Sequence, residues 1–336
     1  MDEELLQRRR AQRARDRQRR ALRRRLFAGG ALVAVLVVVV VVLASVISGG
    51  SSSHPARSPT ARDAAATHPG RRGARSSRDG ASGGSTASTL GPGGGHPGHA
   101  AVPVLMYHVI AAPPAGAPFP LLYVQPSEFA AQMQALKQDG WHPVTLDQLR
   151  ANWTTGAKLP PGKPIVITFD NGYHSQYTAA LPVLRHLHWV ADENMQLSGL
   201  PPSQGGLSSA EVHGLVDAGW ELDTQGISHA DLITLDTGQL HDQIATARKT
   251  IQRAYHVPVN WFCYPSGHYN ATVIAAVKAA GYVGSTTVIP GWASRASDPY
   301  RLPRLRIVGG TSPSALLAQI DSTRAAAVPP SSYGGT

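Results

Sequence analysis

The sequence predicts an α/β protein: a deformed (β/α) barrel of about seven parallel strands, preceded by a single transmembrane helix and a disordered linker. Three observations lead to this prediction. Helices and strands alternate after residue 100, one buried strand ends abruptly in polar residues, and residues 26–47 form a charge-free apolar segment. Alternating elements favour a parallel sheet covered by helices. An open, doubly wound sheet stays an alternative, because the order of elements does not show whether a sheet closes.

The N-terminal residues predict a membrane anchor. Residues 1–25 hold eleven arginines against four acidic residues, and eight valines lie between Val33 and Val42. About 20 apolar residues span a bilayer as a helix, and flanking arginines favour the cytoplasmic side. We therefore expect a cytoplasmic tail (1–25), a transmembrane helix (26–47) and an extracytoplasmic remainder. A cleaved signal peptide is the alternative, although its apolar core usually has about 7–15 residues.

Residues 48–100 predict a disordered linker, because they contain no aromatic residue and little aliphatic content. Such a segment buries too little apolar surface to offset its chain entropy. The net charge of +10 arises in the tail and linker, and so it does not indicate nucleic-acid binding by the rest of the chain. We expect a globular domain over 101–322 and a flexible C-terminal tail over 323–336. The single Cys263 allows no intramolecular disulfide.

Within the globular domain, helices are predicted over 129–139, 210–218 and 272–280, because each of these segments runs into a glycine and an aromatic residue. A glycine suits the left-handed position that ends a helix. A last helix begins at Ser312-Pro313, with proline in its first turn. The predicted strands are 102–107, 143–146, 165–169, 220–223, 259–263, 282–287 and 305–308. No glycine-rich nucleotide-binding loop follows a strand, so a nucleotide site is not expected.

Polar residues follow three of these strands. The apolar run 165–169 ends in Asp170-Asn171-Gly172, the strand 220–223 leads to Gln225 and His229, and the strand 259–263 leads to 264–268. The carboxyl ends of barrel strands meet at one rim, where barrel enzymes place their active sites. Any one of these residues has an ordinary structural role as a helix cap, a turn residue or a buried histidine. Their convergence on successive strand ends favours a functional site.

The motifs of the domain, in their order and spacing, resemble those of the polysaccharide deacetylases (the NodB-homology family, carbohydrate esterase family 4), in particular the poly-N-acetylglucosamine deacetylase-like branch. The segments that carry the resemblance are VPVLMYH (102–108), PSEF (126–129), TFDNGY (168–173), SH with DL (228–232), FCYPSG (262–267) and DPYRLPRLR (298–306). The resemblance implies hydrolysis of N-acetyl groups on a polysaccharide that contains N-acetylated amino sugars, such as a cell-envelope glycan. It also implies a zinc-type divalent metal, held by one Asp and two His, that polarises the acetamide carbonyl and activates water.

By this resemblance Asp170 matches the catalytic base. Asn171 stands at the position of the metal-binding Asp, Gln225 at that of the first metal-binding His, and His229 at that of the second. Cys263 stands where many members have an Arg that orients the base. The resemblance implies substrate binding by His108, Tyr173, Tyr264, Pro265, Ser266 and Gly267, and the aromatic residues that could stack on sugars are Tyr173, Tyr264, Trp261, Tyr269 and Trp292.

The two amides predict a weak or absent metal, because zinc prefers imidazole, thiolate or carboxylate ligands. Asp223 shares the strand face of Gln225 and is a candidate substitute ligand. Three hypotheses follow: a deacetylase with an unusual metal site, an inactive member that binds glycan or an envelope partner, and a metal-free amide hydrolase that uses Asp170.

Overall fold

The computed structural model describes residues 96–198, 200, 204–325 and 328–335. The predicted cytoplasmic tail, the transmembrane helix and nearly all of the linker therefore lie outside the described residues. Within the described ranges, none of the helices combines the length and the apolar character that crossing a bilayer requires.

The described strands form one nine-stranded sheet with the order β7-β6-β5-β4-β3-β1-β8, in which β2 pairs with β3 and β9 with β1. All of these pairs are parallel except β1 with β8. The strands are β1 (Val102–Tyr107), β2 (Trp141–Pro143), β3 (Lys163–Asn171), β4 (Asp192–Met195), β5 (Glu221–Thr224), β6 (Trp261–Cys263), β7 (Gly284–Thr286), β8 (Trp292–Ala293) and β9 (Leu305–Arg306).

One segment, residues 302–307, connects the two sides of this sheet, and we call it the closing segment. At its start the backbone N–H of Thr287, just after β7, donates to the carbonyl of Leu302 (2.9 Å). At its end β9 pairs with β1, and the N–H of Ile307 donates to the carbonyl of Met106 (3.1 Å). Because β7 and β1 lie on opposite sides of the run of parallel strands, the sheet curves back on itself. This arrangement is consistent with the predicted deformed (β/α) barrel.

The predicted helices are present, and each of three ends as its glycine indicates: Gly140, Gly219 and Gly281 have φ of 82°, 84° and 85°. The α-helices are α1 (Pro126–Gln138), α2 (Leu146–Thr155), α3 (Leu181–His186), α4 (Ser209–Asp217), α5 (Thr237–His241), α6 (Ala247–Tyr255), α7 (Ala271–Ala279) and α8 (Pro313–Ser322). A π-helical turn precedes α3 and another joins α5 to α6.

The strand prediction over 143–146 was wrong in detail, and strands β4 and β8 were not predicted. The strand predicted over 143–146 ends at Pro143, because Thr145 begins α2 with a capping box. The Thr145 side chain accepts the N–H of Gln148, while the Gln148 side chain accepts the N–H of Thr145. Strand β4 was not predicted, because its sequence, Asp-Glu-Asn-Met, contains no β-branched residue.

The alternation of side chains in β3 separates the core from the site. Ile165, Ile167 and Phe169 are buried among residues of α1, α3 and α8 in one hydrophobic cluster. Thr168 and Asp170 lie on the other face, inside the barrel, where both contact the same arginine of the closing segment. Because successive residues of a strand face opposite sides, burying the apolar residues against the helices turns Asp170 inward.

The C-terminal tail, predicted to be flexible, has defined contacts over residues 328–335. Tyr333 forms an antiparallel bridge with Tyr269, in which each N–H donates to the other's carbonyl at 2.8 Å. The Tyr269 hydroxyl also donates to the carbonyl of Pro330 (2.8 Å). These contacts bring the tail to the carboxyl ends of the strands.

Candidate active site

A cavity of about 920 Å³ opens at the carboxyl ends of the parallel strands. The residues that follow β3, β4, β5 and β6 line one side of it, while the β1 end, the loop 118–122, the closing segment and the C-terminal tail line the other. The residues predicted from sequence that line it are Asp170, Asn171, Gln225, His229, His108, Tyr173, Tyr264, Ser266 and Gly267. Pro265 is buried and does not line the cavity. Gln196, Arg306 and Tyr333 also line the cavity, although no pattern in the sequence predicted this.

Asp170 is held at the cavity by a buried arginine, Arg304 of the closing segment. The Arg304 guanidinium donates to both carboxylate oxygens, with Nη1 at 2.7 Å from Oδ1 and Nη2 at 2.9 Å from Oδ2. Asn194 on β4 donates a further hydrogen bond from Nδ2 to Oδ1 (2.9 Å). Burial raises the pKa of Asp170, but the charge and the hydrogen bonds of Arg304 outweigh it and lower the pKa to about 2. The carboxylate is therefore ionised at neutral pH.

Arg304 supplies the base with an arginine, although Cys263 stands at the position where many members of the resembled family have one. The Cys263 thiol lies beside the ion pair, donating to Asp170 Oδ2 (3.4 Å) and accepting from Arg304 Nη2 (3.2 Å). Burial raises the pKa of this thiol, so it stays protonated. Arg304 belongs to the motif at 298–306, which carries part of the family resemblance. The sequence does not show, however, that this arginine pairs with a carboxylate 134 residues away.

His108 lies at the cavity wall near the same carboxylate, with Nε2 at 3.9 Å from Asp170 Oδ2. Burial lowers the pKa of His108 to about 4, although the charge of Asp170 opposes this shift. The imidazole is therefore neutral at pH 7 and the contact is not an ion pair. The Nδ1 atom of His108 is buried, and none of the described residues forms a hydrogen bond with it.

The three positions of the metal triad lie together at the cavity. Asn171 has φ of 82° and donates from Nδ2 to Gln196 Oε1 (3.0 Å). Gln225 is buried, and its Oε1 has no hydrogen-bond partner among residues 96–198, 200, 204–325 and 328–335. Burial lowers the pKa of His229, so its imidazole is neutral at pH 7. These side chains offer two amide oxygens and one imidazole nitrogen.

This donor set does not fit a zinc-type ion. Zinc binds imidazole, thiolate and carboxylate ligands, whereas an amide oxygen brings no negative charge to offset a divalent cation. Asp170 is the carboxylate that lies closest in sequence to the triad position Asn171. Both of its oxygens, however, already accept hydrogen bonds from Arg304. Removing it from this pair would leave the buried guanidinium without its counter-ion.

Asp223 does not act as a substitute ligand at the cavity in this structure. Its side chain is buried within the barrel and accepts the N–H of Asn260 (3.1 Å) and of Trp261 (2.8 Å) through Oδ1. It lies instead beside Asp192 and Glu221, which are the first residues of β4 and β5. The shared strand face of Asp223 and Gln225 does not bring the two side chains to the same end of the barrel.

Of the aromatic residues proposed for sugar stacking, Tyr173 and Tyr264 line the cavity. Trp261 and Trp292 do not: their indole N–H groups donate to Asp147 Oδ1 (3.1 Å) and to the carbonyl of Ile320 (2.9 Å). Tyr269 is fully buried beneath the C-terminal tail. An exposed apolar pair in the loop 118–122, Phe119 and Leu121, borders the cavity and was not singled out from the sequence.

Several known proteins are similar to this chain in sequence. The polysaccharide deacetylase family model matches residues 157–285. YxkH of Bacillus subtilis (strain 168), which bears a polysaccharide deacetylase name, is 30% identical over 225 residues, covering 67% of this chain and 78% of that protein. The poly-beta-1,6-N-acetyl-D-glucosamine N-deacetylase of Escherichia coli (strain K12) is 38% identical over 68 residues, covering 20% of this chain and 10% of that protein.

Two solved structures are similar to the described domain. The Streptococcus pyogenes deacetylase PplD in complex with acetate has a TM-score of 0.61 and 25% identity, covering 66% of this chain and 99% of that chain. The polysaccharide deacetylase BC0361 from Bacillus cereus has a TM-score of 0.58 and 26% identity, covering 66% of this chain and 69% of that chain.

Proposed function

Because the chain belongs to the polysaccharide deacetylase family, we propose that its cavity takes an N-acetylated amino-sugar unit of a cell-envelope polysaccharide and hydrolyses the N-acetyl amide. The observation that carries this proposal is the ionised carboxylate of Asp170 at the cavity, held by Arg304 through two hydrogen bonds. A general base needs a fixed, unprotonated acceptor within reach of the attacking water.

In the proposed reaction, a water oxygen forms a bond to the acetamide carbonyl carbon while Asp170 accepts one of the water protons. The C–N bond then breaks, the amine nitrogen gains a proton, and acetate and a free amino sugar leave. The low pKa of Asp170 makes its protonated form short-lived. The neutral imidazole of His108, with Nε2 at 3.9 Å from Asp170 Oδ2, is suited to take the proton from Asp170 and pass it to the amine nitrogen. The imidazole of His229 borders the same cavity. The similar PplD structure contains acetate.

We propose that a zinc-type metal binds only weakly to this site, because two neutral amides occupy ligand positions. No step above therefore passes through a metal. The same amides favour a second candidate function, which is recognition of the glycan without hydrolysis. Gln225 lines the cavity, and its buried Oε1 has no hydrogen-bond partner among the described residues. This oxygen is suited to accept the N–H of an acetamide.

Two measurements on the purified full chain separate these functions: acetate release from N-acetylglucosamine oligomers, and binding of the same oligomers by calorimetry. Hydrolysis predicts acetate release that Asp170→Asn abolishes, while the control Asp321→Asn, the same change at an exposed position of α8, leaves the rate unchanged. Saturable binding without acetate release would support recognition alone. If the chain neither binds the oligomers nor releases acetate, both functions are contradicted.

We further propose that residues 26–47 anchor the chain in the cell membrane with the domain outside the cytoplasm. The apolar length of this segment and the eleven arginines before it support the proposal. Protease treatment of intact cells should remove the domain and leave the N-terminus protected. Recovery of the whole chain in the soluble fraction would contradict the anchor.

A further inference from the structure

Three carboxylates meet inside the barrel, away from the cavity. Asp192 is the first residue of β4, Glu221 is the first residue of β5, and Asp223 follows two positions later. One oxygen from each lies within 4.8 Å of the others. Asp192 and Asp223 are both 0% exposed. We refer to these three residues as the basal acidic cluster.

Each carboxylate of the basal acidic cluster is fixed through one oxygen and unpartnered at the other. The fixed oxygens accept backbone N–H groups, from Leu146 to Asp192 Oδ1 (2.9 Å), from Asp147 to Glu221 Oε2 (2.9 Å) and from Trp261 to Asp223 Oδ1 (2.8 Å). The other oxygens, Asp192 Oδ2, Glu221 Oε1 and Asp223 Oδ2, are buried and have no hydrogen-bond partner in the part of the chain that the structure describes. Buried polar atoms are nearly always satisfied, and an unpartnered one requires an explanation.

The cluster also lacks a counter-charge. The ion pairs formed by lysine, arginine and histidine within the described residues involve none of its three carboxylates. Burying ionised carboxylates without a cation is costly, and mutual repulsion adds to the cost. Accordingly, burial and the neighbouring acids raise the pKa of Asp192 and of Asp223 well above the usual range.

A fourth, neutral oxygen lies next to the cluster. Asn194 is fully buried, is two residues from Asp192 on β4, and is the register partner of Asp223 on β5. Its Nδ2 donates to Asp170, on the β3 side, and its Oδ1 has no hydrogen-bond partner among the described residues. Because residues two apart on a strand share a face, Asn194 lies on the same face of β4 as Asp192 of the cluster.

We propose that the basal acidic cluster binds one divalent cation of the hard class, Ca²⁺ or Mg²⁺, through its three carboxylates, with Asn194 Oδ1 as a neighbouring neutral donor. Carboxylate and amide oxygens are the ligands that hard cations prefer. The site shares no residue with the zinc triad positions. A cation bound by Asn194 would also restrict the motion of this side chain. Because Asn194 Nδ2 donates to Asp170, the cation would help to fix the position of the base.

The test uses the full chain, purified and stripped with a chelator. Tb³⁺, a luminescent hard-cation probe, should bind at one saturable site with emission excited through Trp261, whose backbone N–H contacts Asp223. Ca²⁺ or Mg²⁺ should displace it and raise the unfolding temperature. Glu221→Gln removes one anionic ligand and should weaken binding by about tenfold or more. The control Asn171→Ala with Gln225→Ala should leave binding unchanged.

Two results would overturn the proposal. Binding that the control variant abolishes and Glu221→Gln leaves intact would place the cation in the cavity. No saturable Tb³⁺ or Ca²⁺ binding by the wild-type chain, together with an unfolding temperature that Glu221→Gln raises, would show that the carboxylates share protons. The wild-type titration needs no variant, and none of these readouts depends on acetate release.

Discussion

Two groups of residues at the cavity, which we call the first and the second side of the site, differ in charge and in hydrogen bonding. The first side is Asp170, which is ionised and accepts two hydrogen bonds from Arg304 and a third from Asn194. The second side is Asn171 and Gln225, which are neutral, and Gln225 Oε1 has no hydrogen-bond partner among the described residues. The first network is complete without a metal. Holding the base and holding a metal are therefore separable tasks of this site, carried by different residues.

The largest effect should come from removing the arginine of the first side. Arg304→Ala leaves the Asp170 carboxylate buried without its counter-ion, which should lower the free energy of unfolding by about 3–5 kcal/mol. Chemical denaturation measures this loss. Arg306→Ala, two residues along in an exposed position, is the matched control and should have little effect.

A double variant sharpens this prediction. Adding Asp170→Asn to Arg304→Ala removes the unpaired charge and should recover part of the lost stability. If Arg304→Ala were no more destabilising than Arg306→Ala, the ion pair would not be what fixes the base.

On the second side, restoring the ligand types should create a metal site. Asn171→Asp with Gln225→His supplies a carboxylate and a second imidazole beside His229, so zinc affinity should rise by at least about 100-fold. Calorimetric titration with zinc measures the change. Each single substitution serves as a control and should give a smaller gain. Unchanged zinc affinity in the double variant would mean that the backbone no longer places the three ligands around one point.

The neutral histidine near the base makes stability depend on pH. The pKa of His108 is about 4 in the folded chain, against an ordinary value of 6.5. Below about pH 6.5 the unfolded chain therefore binds more protons, and stability falls as the pH drops toward 4. Between about pH 7 and pH 5 the loss should be about 2 kcal/mol from His108, and His229 shifts in the same direction.

Denaturation curves across this pH range provide the measurement. His108→Gln should flatten the pH dependence, whereas His241→Gln, at an exposed position, should leave it unchanged. An equally steep dependence in His108→Gln would assign the titration to other groups.

The smallest effect should come from Cys263. Its thiol makes only long hydrogen bonds to Asp170 and Arg304, so Cys263→Ala should cost about 1 kcal/mol of stability. The rate of acetate release, where present, should change little. A loss as large as that of Arg304→Ala would show that the thiol, and not the guanidinium alone, positions the base.

Local patterns in the sequence were enough to predict much of the fold. The apolar run of β3 ending at Asp170, and the glycines after α1, α4 and α7, act through neighbouring residues only. Strand β4 escaped prediction because Asp192 and Asn194 face a barrel interior that is itself polar, which no local pattern reveals.

The site was predicted unevenly for a similar reason. Asp170, Gln225 and His229 follow their strands directly, and the cavity brings them together as expected. The role of Arg304 and the position of Asp223 depend on which distant groups each contacts: a carboxylate 134 residues away for Arg304, and the start of β6 for Asp223. Such pairings arise only when the sheet curves.

The position of Arg304 in the closing segment has a consequence for when the base forms. Ribosomes make the strand that carries Asp170 long before residues 302–307 emerge, and until then the carboxylate has no cation to pair with inside the barrel. A chain at that stage would keep Asp170 in water or protonated. The ionised, immobile form of Asp170 thus appears only when the last strand, β9, joins the sheet. The base and the complete barrel therefore form at the same step of folding.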